Sequence, residues 1–121
     1  KTLNDLRGLP TVGYVQDMIF DKELDYLEPL GLRRVQLASN SISVQMNLLR
    51  QGAGVGIVHD FALPFAPELQ RILMDQLSLT RSFFLICSAD DRRNRRLNLF
   101  AEVLLSEIRG EISRLETLAN G

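Results

Sequence analysis

The chain has 121 residues, 45% of them apolar and 24% charged, with a net charge of −1. This suits one soluble globular domain, or part of one, able to bury roughly two-thirds of its unfolded surface. The near-neutral balance argues against a module that grips DNA by neutralising phosphates, and no apolar run is long enough to span a bilayer.

Lys1 is not an initiator Met and no secretory signal opens the chain, so it reads as a fragment or a processed product. The single cysteine, Cys87, cannot form an internal disulfide, which fits a reducing compartment and a cytoplasmic location. It lies in the apolar run 83–87 and reads as a buried core thiol.

In chain order, residues 10–15 read as a strand. Residues 22–30 repeat Leu24, Leu27 and Leu30, a short helix closed by Gly31 with Pro29 near its end. Residues 33–38 alternate, with Val35 and Leu37 on one face, a second strand. Ser39, Asn40 and Ser41 then open a helix with Ile42, Met46 and Leu49 on one face, ended by Gly52 and Gly54. Residues 55–58 read as a third strand, 61–77 as a proline-broken, partly helical stretch, and 82–87 as a fourth strand. Asp90 and Asp91 open a last helix striped by Leu97, Phe100, Leu104, Ile108, Ile112 and Leu115. Unbroken to Leu118, it would run for roughly 40 Å. Gly110 inside it should weaken it locally. The stripe is long for so small a body and calls for a further surface to cover it. Strand and helix alternate, so the class is α/β with a mainly parallel sheet.

No motif carries catalysis. The glycine run 52–56 follows a helix and precedes a strand, the reverse of the order that presents a helix N-terminus to phosphate. A tight turn explains it better. His59 and Asp60 are adjacent at a strand end, where side chains diverge, and no nucleophile accompanies them. With one histidine and one cysteine, a transition-metal site is not expected, and no cofactor motif is present. His59 reads as a structural hydrogen-bonding residue or as a polar residue at a cleft mouth. Ser39, Asn40, Ser41 and Ser43 sit where helix N–H groups are free and the dipole favours an anion. One of them caps the helix, and another is a candidate ligand contact. Arg92, Arg93, Arg95 and Arg96, offset by Asp90 and Asp91, read as a solvated first turn.

The order of these pieces resembles one family. A strand at 34–37 leads into a Ser/Asn-capped helix, and the helix runs into Leu48-Leu49-Arg50-Gln51-Gly52-Ala53-Gly54-Val55-Gly56-Ile57-Val58. This resembles the segment of LysR-type transcriptional regulators in which a helix ends in V-x-x-G-x-G-I and a strand follows. The opening Leu3-Asn4-Asp5-Leu6-Arg7-Gly8-Leu9-Pro10 resembles the lead into that family's second subdomain. The run 83–87, the charged turn 90–93 and the helix 97–108 resemble its return strand and last helix.

The resemblance implies one part of a two-subdomain fold like a type 2 periplasmic binding protein, with an effector in the cleft between subdomains. Residues 1–73 would be the second subdomain, and residues 74–121 the strand and helix crossing back to the first. The implied function is sensing a small-molecule effector, often a carboxylate in that family, to control transcription. DNA contact would lie in an absent N-terminal domain, and homo-oligomers are implied. The family's cleft positions fall on Val15, Gln16, Asp17 and Met18, on Ser39, Asn40 and Ser41, and on His59 and Asp60. Gln16 and Asp17 read equally well as loop residues. The family often has proline where His59 stands, which removes a rigid turn and gives this chain a contact of its own. A solute-binding lobe for transport is the alternative function; an enzyme is not expected.

Overall fold

Val12 is only 1% exposed, and the strand that carries it organises its surroundings. Strand β1 (Val12–Gly13) pairs in parallel with β2 (Leu37–Ala38), Val12 opposite Leu37 and Gly13 opposite Ala38. On its other side, Thr11 forms a parallel bridge with Val55. There the Val12 N–H donates to Val55 O at 2.8 Å and the Val55 N–H to Pro10 O at 2.9 Å. The parallel arrangement of a mixed helix and sheet chain is therefore present, with strands shorter among the described residues than the sequence suggested; Arg33 and Arg34 of the expected second strand lie outside them. The expected third strand, 55–58, is reduced to its first residue. β1 ends at Gly13 and the chain turns into a 3-10 helix at Gln16–Met18, so nothing remains for residues 56–58 to pair with.

The structure, a computed structural model, describes residues 2–19, 22, 25–32 and 35–121, and the chain falls into two units. The first comprises Lys1–His59 and Phe65–Ser78, and the second Asp60–Pro64 and Leu79–Gly121. Leu6, Leu27 and Leu32 form the centre of the first unit, with Leu3, Leu30, Val35, Val55, Ile57 and Leu73 packed on them. Of the expected helix 22–30, Glu23 and Leu24 lie outside the described residues. Its end is a 3-10 turn at Glu28–Leu30 closed by Gly31 in the left-handed region (φ 69°).

Helix α1 (Ile42–Arg50) begins where Ser41 Oγ accepts the Val44 N–H at 3.4 Å. Its buried residues are Gln45 and Leu49; Ile42 is exposed and Met46 half-buried, so the inward face differs from the one that apolar spacing assigned. Gln45 is accepted inside because its Nε2 donates to Ser39 O at 2.6 Å. The glycines then turn the chain. Gly52 is left-handed (φ 73°), and a Cβ on Gly54 would lie 2.2 Å from Pro10 O. Gly56 lets Leu49 approach the chain, since a Cβ there would meet Leu49 at 3.2 Å and Val12 O at 2.9 Å.

In the second unit, residues 82–87 are irregular rather than a fourth strand, and Cys87 is exposed rather than a core thiol. A strand needs a neighbour to take its N–H and C=O groups, and this unit otherwise holds only 3-10 turns and a helix. Asp90 and Asp91 lie in a 3-10 turn, Ala89–Arg93. Asn94 then caps helix α2 (Arg95–Asn120), its Oδ1 accepting the Arg96 and Leu97 N–H groups at 3.1 and 3.2 Å. Burial along the stripe is uneven. Leu97, Phe100 and Ile108 are exposed, Leu104 and Ile112 half-buried, and Leu115 buried. The four arginines of the first turn are all solvated.

Candidate functional site

β1 delivers Tyr14 and the turn 15–18; β2 delivers the segment that starts α1. The Ser39 N–H donates to Gly13 O at 2.9 Å, which carries the β ladder one step past the strands. Asn40 then joins the two segments through its side chain. Its Oδ1 accepts the Val15 N–H at 3.2 Å, and its Nδ2 lies 3.4 Å from Met18 Sδ. Ser39 Oγ accepts the Ser41 N–H at 3.1 Å, and Ser41 Oγ caps α1. The structure thus brings Val15, Gln16, Asp17 and Met18 together with Ser39, Asn40 and Ser41. Asp17, Met18, Asn40 and Ser41 are exposed beside this junction, and Met18 is 64% exposed.

His59, half-buried, stands edge-on to Tyr26 with ring centroids 6.5 Å apart. Tyr26 in turn lies 6.3 Å from Tyr14. These spacings suit edge or tilted aromatic pairs. The row of three rings leads from His59 back to Tyr14, the residue before Val15. Asp60 falls in the second unit and is half-buried.

Beneath the row is a recess lined by Tyr14, Gln16, Asp25, Tyr26 and Gln45 among apolar residues of the first unit. With its open mouth it encloses about 300 Å³, but its interior has room for about one water-sized group. Burial, and next the neighbouring Tyr26, hold the Tyr14 phenol above its ordinary value of 10.0, so that ring is neutral. Tyr14, Tyr26, Asp25 and Gln45 were not selected from the sequence. Both tyrosines read as ordinary strand and helix residues. Gln45 stands four residues after Ser41, the i,i+4 spacing that puts it on the face of the cap, and that was the available signal.

Among the described residues, no group of three or more His, Cys, Asp or Glu could hold a metal ion, and no helix is long and apolar enough to cross a membrane. The LysR substrate binding domain family matches residues 1–109, most of the chain. No curated protein and no solved structure gives a significant match.

Proposed function

From the premise that the chain belongs to the LysR substrate binding domain family, a family of regulatory ligand-binding rather than catalytic domains, we propose that it senses an effector for a LysR-type transcriptional regulator. The family fold is of the periplasmic-binding-protein type 2 kind. We read residues 1–73 as its second subdomain and residues 74–121 as the return to the first. The effector is a small molecule held by the first-unit residues Val15, Gln16, Asp17, Met18, Ser39, Ser41 and His59, with Asn40 holding the first four in place. The observation that supports this reading best is the Asn40 clamp, which fixes the turn 15–18 against the start of α1. α1 also offers first-turn N–H groups that have no intrahelical partner, where an acidic effector group is favoured. The net charge of −1 leaves DNA contact to another part of the regulator.

Thermal denaturation of the chain against a panel of small metabolites tests the reading. A ligand at a hundredfold excess over its Kd should stabilise by about 2.7 kcal/mol. Ser39→Ala together with Ser41→Ala should reduce that stabilisation, beyond the cost to the free protein of the lost cap. A chain that no small molecule stabilises, or one that retards operator DNA sequence-specifically at physiological salt, would sink the proposal.

A further inference from the structure

We propose that the recess bounded by Tyr14, Tyr26, Asp25 and Gln45 seats a primary ammonium group of the effector, an inference that rests on the effector-binding reading above. Three properties of the recess agree on this chemistry. The first is size. Room for about one water-sized group excludes a ring, a guanidinium or a quaternary amine, whereas a primary ammonium is compact.

The second is charge. Asp25 is the one charged side chain among the described lining residues, none of which is basic. Two tyrosine rings stand beside it at 6.3 Å from each other. Aromatic faces attract cations and repel anions, so the rings and the carboxylate favour the same sign of ligand charge.

The third is hydrogen bonding. Gln45 is 5% exposed and lines the recess. Its Nε2 is committed to Ser39 O, which fixes the amide orientation and leaves Oε1 as an acceptor that takes no hydrogen bond among the described residues. Asp25 Oδ1 accepts the Glu28 N–H at 3.1 Å, and its Oδ2 takes no hydrogen bond among the described residues. An ammonium brings three donors and no acceptor, which matches these oxygens. A water would fit by size, but it would leave the carboxylate and the ring faces without a cation. The segment next to the recess, 15–18, is the one that Asn40 ties to α1, so an amine seated here belongs to a ligand that also reaches that junction.

Both tyrosines of the chain line the recess and there is no tryptophan, so tyrosine ring signals report this site alone. The experiment is a titration of the whole chain with methylammonium chloride, against sodium chloride and tetramethylammonium chloride at equal ionic strength. It is followed by NMR of the Tyr14 and Tyr26 rings and the Gln45 side-chain amide. We expect saturable shifts with methylammonium alone, at roughly tens of millimolar for so small a probe. Asp25→Asn keeps an oxygen for the Glu28 N–H and should weaken this binding by about tenfold. Tyr26→Leu should weaken it by roughly fivefold. The same response to all three salts, no saturation, or undiminished affinity in Asp25→Asn overturns the assignment. An effector that binds the chain without moving these signals overturns it too, while leaving effector binding itself intact.

Discussion

Adding one methyl group at Gly54 and one at Gly110 should have opposite effects. At Gly54 a Cβ would stand 2.2 Å from Pro10 O and 2.8 Å from Pro10 C, both backbone atoms, where ordinary contact begins at 3.4 Å. The two segments must therefore separate by more than an ångström. The hydrogen bonds between Val12 and Val55 and between Val55 and Pro10, at 2.8 and 2.9 Å, do not survive that displacement. Each contributes roughly 1 kcal/mol net, and part of the burial of Val12 goes with them. Gly54→Ala should cost about 2–4 kcal/mol, a large share of the roughly 5–15 kcal/mol by which domains are stable. At Gly110, inside α2, nothing lies within 4 Å of the added Cβ. Gly110→Ala should gain about 1 kcal/mol from helix propensity alone. Urea unfolding resolves the two sites. Tyrosine emission follows the first unit, which holds both tyrosines, and far-ultraviolet circular dichroism is dominated by α2. The midpoint should fall in the first signal for Gly54→Ala and rise in the second for Gly110→Ala. A Gly54→Ala chain within about 0.5 kcal/mol of the parent would refute the close approach of Pro10 and Val55.

Asn40→Ala should lower stability by about 0.5–1.5 kcal/mol, and Asn40→Asp, which keeps the acceptor for the Val15 N–H, should restore most of it; equal losses in thermal denaturation would discount the clamp. The Arg50 side-chain hydrogen bond holds the exposed Glu68 carboxyl below its ordinary value of 4.5. A depressed carboxyl contributes stability above its unfolded value and loses it as pH falls through the folded one, so Arg50→Met should move the Glu68 NMR titration midpoint upward and flatten the acid limb of stability; an unmoved midpoint means that the pair does not form in solution. Phe84 and Ile86 are 81% and 87% exposed and Phe100 is 63% exposed, so the chain should self-associate as concentration rises. Light scattering should show less association for Phe84→Ser with Ile86→Ser, and a parent chain that is monomeric at high micromolar concentration would contradict it.

What could be read from the sequence follows from how local each cause is. The Ser41 cap and the glycine turn are set within a few residues, and both appear. The glycine run was legible because its order, helix before glycines, fitted a turn and not a phosphate cradle. Strand lengths were not legible, because a strand extends only as far as its neighbour does. Residues 56–58 lost theirs when β1 ended at Gly13, and residues 82–87 have none in their unit. The same non-local cause left Cys87 exposed in an apolar run. The inward face of α1 was read only in part, with Leu49 buried as expected, because apolar spacing cannot foresee a glutamine satisfied by Ser39 O. The family resemblance picked out the segments 15–18 and 39–41, which the fold brings together. The recess was not legible, because Tyr14, Asp25, Tyr26 and Gln45 meet only through the fold.

The hydrogen bonds at the start of α1 also decide which groups there can meet a ligand. Asn40 spends its Oδ1 on Val15 and its Nδ2 on Met18, so it acts by positioning rather than by contact. The hydroxyl oxygens of Ser39 and Ser41 each accept a backbone N–H. An accepting hydroxyl still carries its own proton, so both serines remain donors, and they join the first-turn N–H groups that the cap does not use. The junction therefore presents donors that suit an acidic group, whereas the recess beside Tyr14, lined by Asp25 and two tyrosines, would suit the basic group proposed above. Because Gly13, Tyr14 and Val15 are consecutive, and Gly13 O and the Val15 N–H are tied to the Ser39 N–H and the Asn40 side chain, the two preferences are held close together by one backbone and one side-chain hydrogen bond. A ligand with both charges pays little to order such a site, which is how a shallow surface can discriminate a zwitterion from a simple acid.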